Sequence, residues 1–300
     1  MNILKNVQIP NLAWNTAADI YLPPNFDEAK QYPAIVSTHP IGSCKEQTSG
    51  NVYAKALAEA GFVVAAFDAS FQGSSGGTPR FIEDPSLRVS DIRFVIDHLV
   101  ALPYVDANRI GAIGVCGGGG YTIHAAMTDR RIKALASITG VNFGRLMREG
   151  FSQFNPVAAL DAIAAQRTAE ARGAQRHVID YLPDSVETAK AAGITDIDVL
   201  GATDYYKTAR GQKPNGATSG LLSFNGAAMA WDAFAQAEVL LTQPLMVVVG
   251  DQPGGFGAYR DGLEIHGRAA SEVKELVVAE GWNHYDLYDL YGQYGGCSLH

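Results

Sequence analysis

The segment Ile113-Gly114-Val115-Cys116-Gly117-Gly118-Gly119 sets a cysteine between glycines two residues to either side, at the junction of an apolar run and a helix-compatible stretch. This is the pattern of a nucleophile elbow with sulfur in place of the usual hydroxyl. A nucleophile held on so sharp a turn leaves no room for side chains at the flanking positions, so Gly114 and Gly118 answer a steric demand. A helix starting at Gly117 aims its positive end at the sulfur, which favours thiolate over thiol. The matching base is expected in Gly281-Trp282-Asn283-His284, directly after the last apolar run. The remaining histidines fit helix faces, the inserted segment or the tail, and His39 is expected to shape the loop it precedes. A carboxylate must orient the imidazole and stabilise its cation. Asp251, at the end of the run Leu245–Val249, is the first candidate, with Asp261 and Glu264 behind it.

Acyl chemistry also needs two backbone N–H groups for the oxyanion. Gly117 follows the nucleophile and supplies one. The other is expected from Ile41 or Gly42, in the loop after His39. Cys44 lies in the same loop and is read as an inert thiol. The run Ser70-Phe-Gln-Gly-Ser-Ser-Gly-Gly lacks the lysine and helix start of a phosphate loop, so it is read as a turn lining the site. The expected substrate-binding residues are His39, Phe71, Tyr205, Tyr206 and Trp282.

Placing these groups requires a scaffold. Apolar runs at 33–39, 62–67, 109–116, 132–139, 244–249 and 274–278 read as strands, with two short strands before them at 7–9 and 17–22. Helical patterns at 52–60, 86–102, 117–127 and 259–270 alternate with them. Alternation of this kind predicts an α/β fold with a mainly parallel sheet and helices on both faces. The pattern breaks between 143 and 240, where the chain is Ala-rich, helical in flavour and without a clear strand. A stretch this long exceeds any plain connection, so a helical cap over 143–240 is expected to interrupt a core made of 1–142 and 241–300.

The motifs Gly114-x-Cys116-x-Gly118-Gly119, His39-Pro40-x-Gly42, Phe71-x-Gly73-x-Ser75-x-Gly77 and His284-x-x-Leu287-Tyr288-Asp289 together resemble the α/β-hydrolase superfamily. The resemblance is closer to its dienelactone-hydrolase-related branch. With the YYKTARG segment and the helical insertion, it extends to bacterial uncharacterised hydrolases and fungal polyketide thiohydrolases or transferases. The chain order Cys116, Asp251, His284 is that fold's nucleophile, acid, base. In many of its members the acid stands a few residues further on, where this chain has Pro253 and Gly254. The resemblance implies a Cys-His-Asp triad acting on an ester, lactone or thioester without a cofactor. Acyl or ketide transfer on the same triad, and non-catalytic binding of small molecules, are the alternatives.

Composition is that of an ordinary globular protein: 300 residues, 47% hydrophobic and 18% charged. The net charge of −8, with no basic run, argues against nucleic acid and anionic membrane surfaces as partners. A small carbonyl compound is the expected partner, no metal is expected, and no leader or membrane span is evident, so a cytoplasmic address follows. Three cysteines, Cys44, Cys116 and Cys297, make no disulfide framework or metal motif. The aromatic tail YDLYDLYGQY suits a homo-oligomer interface as well as packing on its own domain.

Overall fold

The computed structural model describes residues 4–150 and 155–289; Cys297, His300 and the end of the aromatic tail lie outside the described residues. The first half of the chain contributes β1 (Leu4–Pro10), β2 (Asn15–Tyr21), β3 (Tyr32–Thr38), β4 (Val63–Phe67), β5 (Val105–Val115) and β6 (Ile132–Ile138). Between them run α1 (Lys55–Glu59), α2 (Pro85–Ala101) and α3 (Gly117–Thr128). The inserted segment holds α4 (Phe143–Glu149), α5 (Pro156–Ala171), β7 (Val178–Asp180), α6 (Val186–Ala191), α7 (Ile197–Lys207), β8 (Ser219–Leu221), α8 (Gly226–Ala230) and α9 (Ala237–Leu240). The chain closes with β9 (Leu245–Gln252), α10 (Ala258–Arg268), β10 (Lys274–Asn283) and α11 (Asp286–Asp289).

Eight strands form one sheet in the order β1-β2-β4-β3-β5-β6-β9-β10. β2 is antiparallel to both β1 and β4, and the six strands from β4 onward are parallel. Helices cover both faces, which is why β4, with all five residues buried, reads as a continuous apolar run rather than an alternating one. α2 shows how local signals place a helix. Asp84 accepts from the N–H groups of Ser86 and Leu87, Pro85 fills the first turn, and Val89, Ile92, Val95, Ile96 and Leu99 are buried along one face. The expected helix at 52–60 begins earlier, as a wide π-helical turn over Thr48–Ala54. No helix among the described residues is long and apolar enough to cross a membrane.

The inserted segment departs from expectation in two ways. It is not purely helical, because β7 and β8 pair as an antiparallel ribbon. Each strand has three residues, too few for alternation to show in sequence. Its ends also pack into the main core. Phe143, Ala228, Ala233, Phe234 and Ala237 are buried in the same cluster as Val36, Ala112 and Val247 of the sheet. The 240 boundary is therefore no packing boundary.

Candidate active site

Cys116 follows β5 and caps α3 with φ 55 and ψ −126, a conformation an L-residue adopts only under constraint. The constraint is visible. The Cys116 N–H donates to Ile138 O at 3.0 Å, and its carbonyl accepts from Gly119 and Val141 at 2.9 Å each. A Cβ on Gly114 would lie 2.1 Å from Gly118 O, and one on Gly118 would lie 2.3 Å from Thr38 O. Both flanking positions therefore exclude every side chain, as the motif predicts.

The N–H groups of Gly117 and Ile41 and the phenol of Tyr288 favour the ionised form of the sulfur. Burial nonetheless outweighs these donors and pushes the thiol up to about 11. The resting thiolate expected from the helix terminus is thus corrected to a neutral thiol: one helix end cannot offset removal of the sulfur from water. Between the two oxyanion candidates from the His39 loop, the geometry separates Ile41 from Gly42. Gly42 has φ +63, its Cβ direction runs into the Thr218 backbone at 2.9 Å, and its carbonyl accepts from Thr218 N.

His284 is 4% exposed and packs between Phe256, Tyr285 and Tyr288, with ring centroids 5.5, 4.9 and 5.5 Å away. Burial pulls its pKa down to about 3, so the imidazole is neutral. Its Nδ1 meets Thr139 Oγ1 at 2.8 Å, and Nε2 has no hydrogen-bond partner among the described residues. Thr139 follows β6 beside the elbow, where sequence patterns carry no signal for it beyond a polar residue at a strand end.

Asp251 is not brought to the imidazole. Its Oδ1 accepts from Gly281 N at 2.7 Å and from the Gln252 side chain at 3.2 Å, so it ties the C-terminal end of β9 to the parallel neighbour β10 instead. The reserve acids are also engaged elsewhere. Asp261 is fully buried and takes Arg145 Nε at 2.6 Å and Asn142 N at 2.8 Å, tying α10 to α4. Glu264 pairs with Arg268.

An apolar pocket of about 420 Å³ opens over Cys116. Its walls come from Pro40 and Ile41, from Phe143, Leu146 and Met147 of the inserted segment, and from Tyr206, Tyr285 and Tyr288. Of the five expected substrate-binding residues, Tyr206 alone lines it. Tyr205 lies behind Tyr206, edge-on to it at 4.9 Å. Trp282 packs against the same cluster without reaching the wall. Phe71 is turned by φ 67 into contact with Trp14, centroids 4.8 Å apart, within a turn built around Asp68, which accepts from Lys45 N and Ser74 N. His39 is fully buried. Its Nδ1 meets Pro40 O at 2.6 Å, its Nε2 accepts from Ala69 N at 3.0 Å, and Arg88 stacks further bonds on the same ring and carbonyl. It fixes the loop that presents Ile41 and touches no substrate space. Cys44 is buried outside the pocket, and burial pushes its thiol up.

The His284 loop is held by contacts that the YYKTARG and LYD motifs conceal. Arg210 makes two bonds of 2.8 Å to the Asp289 carboxylate and one to Tyr285 O. Thr48 Oγ1 and Tyr53 Oη donate to the carbonyls of Tyr288 and Leu287. Inserted segment and C-terminal loop are thereby pinned together around the pocket.

No protein-family model matches the sequence. The uncharacterized protein YcjY of Escherichia coli is 43% identical over 274 residues, covering 91% of this chain and 88% of that protein. The uncharacterized protein PA2218 of Pseudomonas aeruginosa is 34% identical over 285 residues, covering 91% of this chain and 72% of that protein. Its crystal structure superposes with a TM-score of 0.87 at 29% identity over 98% of this chain and 90% of that one. The α/β hydrolase GrgF of a Penicillium species shares the fold, with a TM-score of 0.72 at 17% identity over 97% and 95% of the two chains. A shorter match, 31% identity over 106 residues, joins 35% of this chain to 33% of the thiohydrolase aneE of Aspergillus aculeatus. By its likeness to YcjY and PA2218 over most of all three chains, and by its sheet, the chain belongs to the family of those two proteins, on an α/β-hydrolase fold.

Proposed function

We propose that the chain is a hydrolase of neutral carboxylic acid derivatives, an ester, lactone or thioester, acting through an acyl-enzyme on Cys116. The observation that carries this reading is the strained elbow that sets Cys116 into an apolar pocket beside Ile41, with the Gly117 and Ile41 N–H groups favouring negative charge on the sulfur. These two N–H groups take the oxyanion of an adjacent carbonyl once the sulfur bonds to its carbon. His284 is the base. With Nδ1 protonated and donating to Thr139, Nε2 keeps the lone pair that accepts the Cys116 proton.

Attack therefore starts from a neutral pair. The sulfur loses its proton to Nε2 as it bonds to the carbonyl carbon, and the imidazolium returns that proton to the departing oxygen or sulfur. Water then reverses the sequence: its proton goes to Nε2, its oxygen bonds to the acyl carbon, and the Cys116 sulfur leaves, taking back the proton from Nε2. Thiolate is a better leaving group than alkoxide, which suits lactones, activated esters and thioesters more than amides. The name of the partial relative aneE, a thiohydrolase, is in keeping with thioesters.

The test is nitrophenol release from nitrophenyl butanoate by the wild type and by Cys116→Ala, with intact-mass detection of the acyl adduct. The expected result is an adduct on Cys116 and a loss of about 10³-fold or more in the variant. Equal turnover by Cys116→Ala would overturn the reading. Acyl transfer to an added alcohol or amine, faster than release of free acid, would replace hydrolysis by transfer on the same residues.

A further inference from the structure

The loop that follows β9 reads Pro253-Gly254-Gly255-Phe256-Gly257 and carries no acidic side chain. It is nevertheless shaped around a carboxylate from elsewhere in the chain. A Cβ on Gly254 would lie 2.3 Å from Cγ of Asp198 and 2.5 Å from each of its carboxylate oxygens. The space that a side chain at 254 would enter is filled by the side chain of Asp198, in the first turn of α7. Asp198 is 1% exposed. Its Oδ2 accepts from Phe256 N at 2.9 Å, while Oδ1 is buried with no hydrogen-bond partner among the described residues. Asp196, the cap of the same helix, accepts from Gly255 N at 2.8 Å, so the loop wraps the start of α7 with two amides.

This carboxylate lies near enough to Cys116 for its charge to act there. Phe256, whose N–H holds it, sets its ring edge-on to the His284 imidazole. The charge of Asp198 is felt at Cys116 and at Tyr285, and the Tyr285 ring packs against His284 at a tilt of 48°. A buried carboxylate with a free oxygen is expensive to fold around, and such groups concentrate where charge develops during chemistry.

Resting on the reading of Cys116 and His284 as nucleophile and base, we propose that Asp198, delivered by the inserted segment, is the positioning carboxylate of that pair in place of Asp251. When the Sγ proton moves to Nε2, a cation forms on an imidazole that burial keeps neutral at rest. The ionised Asp198 compensates that cation through space, since Nδ1 is already bonded to Thr139. Asp198 itself gains and loses no proton in the step; the proton leaves with the departing group. Burial, opposed by the Phe256 N–H and reinforced by Asp196, pushes the Asp198 carboxyl up to about 7. The titratable groups around it are Asp196 at the cap of its own helix, Cys116 at the elbow and Tyr285 after β10; burial keeps the thiol and the phenol neutral, so Asp196 alone meets it with charge. Its ionisation near neutrality gives the acylation rate a step there.

The experiment follows Cys116 acylation by nitrophenyl butanoate from pH 5 to 9 in the wild type, Asp198→Asn and Asp251→Asn, with circular dichroism confirming the fold of each. The wild type should rise through a step near pH 7. Asp198→Asn should be slower by about 10²-fold or more at pH 8 and lack the step, because the imidazolium goes uncompensated. Asp251→Asn should keep both rate and step. Should Asp198→Asn fail to fold, the transposed pair Asp198→Gly with Gly254→Asp returns the carboxylate to the β9 loop and should restore the step. An Asp198→Asn rate equal to or above the wild type, with the step retained, would overturn the proposal, since the Asp198 charge would then only oppose the thiolate. A transposed protein without the step would do the same. A wild type that shows no adduct on Cys116 at any pH removes the nucleophile–base reading, and this one with it.

Discussion

Thr139 Oγ1 lies 2.8 Å from His284 Nδ1, so a hydroxyl occupies the place where the chain order led us to expect a carboxylate. Thr139 itself has φ 42, an outlier for a β-branched residue, while its N–H reaches Val248 O at 2.6 Å. Backbone strain of this kind costs roughly 1–3 kcal/mol and persists where neighbouring structure imposes it.

The strain and the bond make opposite predictions for one substitution. Thr139→Gly relieves the backbone and removes the hydroxyl. Its melting temperature should equal or exceed that of the wild type, while turnover falls about 10-fold or more because the imidazole loses its orienting partner. Thr139→Ser keeps the bond and should stay near wild-type turnover. Parallel loss of stability and activity in Thr139→Gly would show that Thr139 serves the fold alone.

The parts of the site that local sterics dictate were legible in the sequence. Gly114, Cys116 and Gly118 form a pattern because the turn itself forbids side chains at its flanks, and His284 stands where the last strand must end. Ile41 and Gly42 were not separable, since only the approach of Thr218 from the inserted segment shows that Gly42 turns its backbone elsewhere. Asp251 was misplaced for a related reason. A carboxylate at a strand end is equally able to tether the neighbouring strand, and the Gly281 N–H of β10 claims it. Asp198 carries no strand or turn signature, because its place is set by α7 meeting the β9 loop across 50 or so residues of chain, a long-range contact that periodicity does not encode. Tyr206 was legible as a pocket wall, whereas Phe71 and His39 belong to buried turns behind it.

Stability should depend on pH through two buried groups with opposite sign. His284 is held neutral in the fold, with a pKa of about 3 against an ordinary 6.5. Between those values the unfolded chain binds the proton and the native one does not, so this contribution to stability is lost as pH falls from about 6.5 toward 3. Asp198 is raised from 3.8 to about 7, so the native chain keeps its proton while the unfolded one has lost it. Stability then falls as pH rises from about 4 to about 7. Asp198→Asn should therefore raise the melting temperature at pH 8 and leave it unchanged at pH 4, with a gain on the order of a few kcal/mol at most. His284→Gln should flatten the acid limb. A uniform shift across all pH values in both variants would refute the assignment of these slopes.

Glycine substitutions separate steric demand from mere composition. Gly118→Ala drives a methyl to within 2.3 Å of Thr38 O, a backbone atom that cannot yield, and the protein should be recovered unfolded or aggregated. Gly267→Ala is the control. It sits on the exposed side of α10 with nothing within 4 Å of the added carbon, and it should stabilise the fold by about 0.5–1 kcal/mol. Urea denaturation of both settles the comparison; a soluble, stable Gly118→Ala would mean that the elbow is looser than these distances imply.

Acyl specificity should follow from the walls of the pocket. About 420 Å³ of space is bounded by Leu146, Met147, Phe143 and Phe256, with hydroxyls of Tyr206 and Tyr288 that have no hydrogen-bond partner among the described residues. Each methylene buried against such walls contributes about 0.8 kcal/mol, which is roughly a 4-fold gain in kcat/KM. Nitrophenyl esters from acetate to octanoate should therefore climb by about that factor per carbon until the chain meets Met147 or Leu146, then level off. Met147→Trp fills part of this space without touching Cys116 or His284, and it should move the plateau to shorter acyl chains while leaving the acetate rate unchanged. Equal rates along the series, or a Met147→Trp profile that drops for acetate as much as for octanoate, would place the acyl group outside this pocket.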